Sequence, residues 1–88
     1  MVLQLKGDTK ITYLTTPTKI TCSLNGSNSF TPLLYWDILH GPMKCIHTAG
    51  RHLKIIPQNA CYGVILARCY AFYENIFISF IEYKNILL

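Results

Sequence analysis

Four cysteines and three histidines carry most of the chemistry available to this chain: Cys22, Cys45, Cys61 and Cys69, with His40, His47 and His52. Thiolate and imidazole suit a tetrahedral zinc site. Cys45, His47, His52, Cys61 and Cys69 could supply its ligands, but their run C-x-H-x4-H-x8-C lacks the short C-x2-C knuckle of zinc modules, so no metal site is expected. A Cys/His nucleophile needs a base and a third, orienting group. The only acids are Asp8, Asp37, Glu74 and Glu82, none in a recognisable motif, and no phosphate-cradling glycine loop is present. Neither catalysis nor a cofactor is expected, and the histidines read as loop or rim residues. What remains is sulfur chemistry: an even number of cysteines in a small chain fits a disulfide framework, with three connectivities among which sequence does not choose. In the cytosol the same cysteines would stay thiols and act as small core hydrophobes.

The elements that hold these residues read as strands. From Thr18 to Leu24, Ile20, Cys22 and Leu24 alternate with Lys19, Thr21 and Ser23, which turns Cys22 inward from a strand with one wet face. LLYWDIL (33–39) places Leu34, Trp36 and Ile38 on one side, so Trp36 faces the same interior. LQLK (3–6) and KITYL (10–14) alternate too, separated by Gly7-Asp8 and closed by Thr16-Pro17, and NGSNS (25–29) is a turn-rich loop. After the break at His40-Gly41-Pro42, MKCIH (43–47) is a short strand, Thr48-Ala49-Gly50 a turn, and HLKII (52–56) a strand with Leu53 and Ile55 on one face. The apolar region 62–81 has the pattern of a buried helix or of buried strands. Its β-branched and aromatic residues, with Glu74-Asn75 as a turn, favour strands at 63–73 and 76–83.

Length and charge narrow the class. The chain of 88 residues is read as a single domain, 1–88, and a domain this small hides only about 60 % of its unfolded surface, so cross-links or partners must help. Eight Lys and Arg against four Asp and Glu are scattered rather than grouped, which argues against nucleic acid. YGVILARCYAFYENIFISFI (62–81) carries Arg68, Glu74 and Asn75, costly in lipid, so no membrane span is expected. MVLQLKGDTK lacks the features of a secretory signal, which leaves either a chain that is not secreted or one whose signal precedes Met1.

Cys22, Trp36 fourteen residues on and Cys69 forty-seven residues on resemble the Cys…Trp…Cys spacing of immunoglobulin domains. Leu53-Lys54-Ile55 falls where that family has its strand E signature. The resemblance implies an all-β fold, a small immunoglobulin-like β-sandwich of about seven short antiparallel strands, disulfide-stabilised. It also implies a Cys22–Cys69 bridge with Trp36 packed on it, which leaves Cys45 and Cys61 as a second bridge locking an edge. One departure is Ala67 where the family's corner tyrosine stands two residues before the second cysteine. GVILARCYAFYEN (63–75) is similar to a strand segment of coronavirus accessory proteins with immunoglobulin-like folds. Trp36 followed by Cys45 resembles adenovirus and cytomegalovirus immunomodulators.

The other face of strand 63–73 shows Val64, Leu66, Tyr70 and Phe72 with only Arg68 charged, where an exposed sheet face is ordinarily polar. Either a partner or a second copy covers it, or the chain's own terminal segments do. The function expected is a non-enzymatic protein-binding module that uses this face, secreted or in the endoplasmic reticulum lumen, with the viral likeness implying a host immune protein as partner. Asn25-Gly26-Ser27 is an N-glycosylation sequon that fits that compartment. The alternative is a cytosolic or membrane-associated small protein with reduced cysteines, zinc-binding in one version, using 62–81 as a helix.

Overall fold

A computed structural model describes residues 2–26 and 31–88, and among them eight strands form two four-stranded sheets. The strands are Val2–Lys6 (β1), Tyr13–Leu14 (β2), Thr18–Asn25 (β3), Leu33–His40 (β4), Ile46–Ala49 (β5), His52–Ile55 (β6), Gly63–Tyr73 (β7) and Ile76–Leu87 (β8). One sheet runs β1-β3-β6-β5 and the other β2-β8-β7-β4. With β2 set aside, the strands in chain order fill the places A-B-E-D and G-F-C of the constant-type immunoglobulin sandwich. The fold is an immunoglobulin-like β-sandwich.

Alternation builds the core. Ile20 and Cys22 of β3, Leu53 and Ile55 of β6, Leu34 and Trp36 of β4, and Ile65, Ala67, Cys69 and Ala71 of β7 point between the sheets and are buried. Cys22 and Cys69 are bonded across the two layers, with Cα atoms 6.4 Å apart. Trp36 lies directly opposite Cys69 in the β4–β7 ladder, which puts the indole on the bridge's own face of the sheet. The small side chains Ala67 and Ala71 on either side of Cys69 leave room for large neighbours at interior packing density. The backbone carbonyl of Arg51, in the β5–β6 turn, accepts both the Cys22 N–H (2.9 Å) and the Trp36 Nε1–H (2.8 Å). Cysteine, tryptophan and turn thus hold one another across the sandwich. The second bridge, Cys45–Cys61, joins the β4–β5 and β6–β7 connections, both of which pass from one sheet to the other.

Several expectations need correction. There are eight strands rather than about seven, and they are not all antiparallel, because β2 pairs parallel to β8 (Tyr13 with Ile86, Leu14 with Leu87). Residues 7–12 carry the chain from one sheet to the other. Gly7 permits the switch: its φ is +124°, and a Cβ there would sit 2.5 Å from the Lys19 carbonyl oxygen. The strand expected at 10–14 shrinks to Tyr13–Leu14 because the Lys10 carbonyl and Thr12 N–H bond to the Asn85 side chain. Met43–Cys45 is a 3₁₀ turn, closed by the Cys45 N–H on the Pro42 carbonyl at 3.0 Å, so the strand starts at Ile46 and runs through Thr48 and Ala49 to a turn at Gly50. The helix considered for 62–81 is two strands, β7 and β8, joined at Glu74 (φ 50°) and Asn75 (φ 66°), the left-handed pair of a two-residue hairpin turn. The loop 25–29 lies outside the described residues from 27 onward.

β8 also runs four residues past its expected end at 83, to Leu87, and there supplies the tie that the missing corner tyrosine would have given. Tyr83 sits directly opposite Ala67 and is buried in the space that the small residue leaves. Its hydroxyl accepts Asn85 Nδ2–H at 2.9 Å, while Asn85 Nδ2 also donates to the Lys10 carbonyl at 3.0 Å. Asn85 Oδ1 accepts the Thr12 and Ile86 N–H groups, both at 2.9 Å. Asn85 is completely buried and fully bonded.

Burial raises the Tyr83 hydroxyl pKa above its ordinary value, against the opposing pull of the Asn85 hydrogen bond. In the unfolded chain that hydroxyl ionises near pH 10, whereas in the folded chain it keeps its proton longer. Its stabilising contribution is therefore complete below about pH 10 and is lost as pH rises from there through the folded value. Urea midpoints should fall more steeply above about pH 10 in the wild type than in Tyr83→Phe, and parallel curves would refute this.

Candidate functional site

The outer face of the β4–β7–β8 sheet is built from the residues that alternation leaves over. Cross-strand register sets them in rows: Leu33, Phe72 and Phe77; Tyr35, Tyr70 and Phe80; Asp37, Arg68 and Glu82; then His40, Leu66 and Lys84; and Val64 with Ile86. The first two rows make one aromatic array. Tyr35 stacks on Tyr70 (centroids 5.6 Å) and on Phe72 (5.7 Å), while Phe77 meets Phe72 edge-on at 5.8 Å and Phe80 lies 5.9 Å from Tyr70. These separations lie in the range where ring pairs attract beyond their buried area.

The charged row borders this array. Arg68 Nε donates to Glu82 Oε2 at 3.0 Å, and its guanidinium carbon stands 4.5 Å from the Phe80 ring centroid. Hydrogen bonds with the Tyr70 hydroxyl and then Glu82 raise the basicity of Arg68 still further. The cation is held over the Phe80 ring by its bond to Glu82, and its side chain stays partly exposed to a partner.

Of the expected contact residues, all four are on this face, and their exposure is uneven. Val64 is exposed, while Leu66, Tyr70 and Phe72 are half-buried because β7 is a central strand flanked on both sides. The open apolar surface lies on the flanking strands: Leu33 67 %, Tyr35 41 %, Phe77 50 % and Phe80 45 % exposed. The terminal segments leave these positions uncovered. Tyr35 and Phe80 were legible in principle, since Tyr35 alternates with the inward Trp36 and Phe80 alternates with the inward Tyr83 along β8, whereas Phe77 reaches the outer face only through a bulge in β8 between Phe77 and Ser79.

The remaining candidates are dispersed. Asn25 is exposed at the end of β3, and Ser27 of its sequon lies outside the described residues. All four cysteines are in disulfides, so none is a free thiolate for the zinc site weighed against the framework. His52 Nδ1 is 3.0 Å from Thr21 Oγ1, and His47 is exposed opposite Lys54 on the other sheet. Among the described residues no three His, Cys, Asp or Glu side chains cluster as metal ligands, and no helix is long and apolar enough to cross a membrane. A recess of 210 Å³ between β3 and β6 is lined by Pro17, Thr18, Lys19, Lys54, Ile55 and Ile56 and holds no acid–base pair. The chain matches no protein-family model, no curated protein and no solved structure. Two disulfides fit an oxidising compartment.

Proposed function

We propose that this chain is a secreted or lumenal protein-binding module that holds its partner against the outer face of the β4–β7–β8 sheet. The observation that carries the reading is the aromatic array of Tyr35, Tyr70, Phe72, Phe77 and Phe80, open on a sheet face that a freely soluble sandwich would make polar. Tyrosine and arginine are the residues that most often dominate binding energy, since they offer large rigid area with a polar handle. Here Tyr70 and Arg68 stand at its centre, flanked by β4 and β8. The viral immunomodulators that the Trp36–Cys45 spacing resembles support a host immune protein as the class of partner.

The test uses protein secreted from mammalian cells and flow cytometry on leukocytes. Wild type is expected to stain them, and Tyr35→Ser/Tyr70→Ser to lose at least about tenfold in apparent affinity at unchanged melting temperature. Wild-type staining that both substitutions leave intact, or no staining at all, would remove the support for this face.

A further inference from the structure

The outer face of the β1-β3-β6-β5 sheet is basic, and strand register makes it so. Lys6, Lys19 and Lys54 are far apart in the chain, yet Lys19 pairs directly with Lys54 across the β3–β6 ladder, and Lys6, opposite Thr21, is the diagonal neighbour of Lys19. Facing residues of this kind stand about 5 Å apart and diagonal ones about 7 to 8 Å. His47 of β5 continues the Lys19–Lys54 row, and His52 continues the row of Lys6 and Thr21. All three lysines are exposed, and among the described residues none of them is in an ion pair. The four strands contain no Asp or Glu. Asp37 and Glu82 belong to strands of the opposite sheet, Glu74 to its hairpin turn and Asp8 to the crossover between sheets. This face therefore holds three of the chain's net four positive charges. Like charges set directly opposite one another weaken a ladder, so the Lys19–Lys54 pair costs the fold stability that an anion bound between them would restore.

We infer that this face binds a sulfated polysaccharide chain of the glycosaminoglycan class. A polymer with anions spaced along it complements a set of lysines that no acid of the same sheet neutralises. Three features select a polysaccharide among polyanions. β1, β3, β5 and β6 contain no Phe, Tyr or Trp, so the face lacks the platform on which nucleic-acid bases stack. Gln4, Thr21 and His52, on the same outward side, are only half-buried and offer hydrogen bonds to sugar hydroxyls. The two disulfides fit the oxidising, extracellular side, where such chains occur. The surface lies on the opposite side of the sandwich from the aromatic array, so the two contacts act, and fail, independently.

Titration calorimetry of the whole chain with a heparin hexasaccharide at about 150 mM NaCl tests this. Wild type should bind it and should not bind the desulfated hexasaccharide. Lys19→Thr/Lys54→Thr should weaken binding about tenfold. Lys10→Thr/Lys84→Thr removes the same charge from positions off this face and should weaken binding less than about threefold. Lys54→Glu should lose binding too, while raising the melting temperature, because opposite charges then face each other at Lys19. Tyr35→Ser/Tyr70→Ser should bind heparin as wild type does and lose only leukocyte affinity, which separates this contact from the partner face. No wild-type binding, equal weakening by the two lysine pairs, or equal binding of the desulfated sugar would overturn the proposal. So would tighter binding to single-stranded oligothymidylate or to phosphatidylserine vesicles, which would give the face to another polyanion. The comparison of sulfated with desulfated sugar on wild type decides even if a variant fails to fold.

Discussion

Cys22→Ala/Cys69→Ala is expected to lower the melting temperature by at least about 15 °C and to leave much of the chain unfolded at 37 °C. The bridge closes a loop of 47 residues, and in the chain-entropy picture a loop of that size is worth about 4 kcal/mol. A chain of 88 residues has a total stability of about 4 to 13 kcal/mol, so this one bond is comparable to the lower end of the whole. The loss is compounded locally, because Trp36 would face a void where the sulfurs had been, and its Nε1–H shares the Arg51 carbonyl with Cys22. Cys45→Ala/Cys61→Ala closes a span of only 16 residues and should cost about 3 kcal/mol by the same reasoning, confined to the end where the two crossovers pass. Thermal denaturation followed by Trp36 fluorescence ranks the two. A 22/69 variant that melts within about 5 °C of wild type would show that the sheets are held mainly by burial.

Asn85→Leu is expected to cost about 3 kcal/mol or more although it replaces a polar core residue by an apolar one of similar size. The Asn85 side chain makes four hydrogen bonds, and three of its partners, the Thr12 N–H, the Lys10 carbonyl and the Tyr83 hydroxyl, would be left in a partly or fully buried place. Each unsatisfied buried group costs about 1 to 3 kcal/mol, which outweighs the gain from burying a leucine. The damage should be directional: residues 10–14 and β2 lose their anchor, while the β3–β7 bridge is untouched. Hydrogen exchange should therefore show the Thr12 amide lose its protection in Asn85→Leu, with the amides of Cys69 and Ala71 slowed as before relative to global stability. Uniform loss across the chain, or none at Thr12, would contradict the assignment.

Residues whose role follows from local alternation were legible. Cys22, Trp36, Leu53, Ile55 and Cys69 all point inward as the period of two requires, and β7 spans 63–73 as its apolar run and the Glu74-Asn75 turn implied. The outward positions of Val64, Leu66, Tyr70 and Phe72 follow from the same period. What escaped was decided through space. Lys84-Asn85 reads as a polar strand end, yet Asn85 is a core residue because the segment 10–12, more than 70 positions away in sequence, brings it partners. Tyr83 reads as an ordinary strand tyrosine, and only the register against Ala67 shows it filling the missing corner. The 3₁₀ turn at Met43–Cys45 looked like a strand because apolar residues alternate across it, while Pro42 and its carbonyl close a tighter bond. The parallel set of β2 has no local signature at all.

The two sulfur bonds are the most direct handle on the architecture from which the binding face was argued. Trypsin acting on denatured, unreduced protein places each cysteine on its own peptide: 20–44 with Cys22, 45–51 with Cys45, 55–68 with Cys61 and 69–84 with Cys69. Mass spectrometry should find 20–44 joined to 69–84 and 45–51 joined to 55–68. Any other pairing, or free thiols on 20–44 and 69–84 in protein folded under oxidising conditions, would contradict the stapled sandwich and the aromatic face it presents.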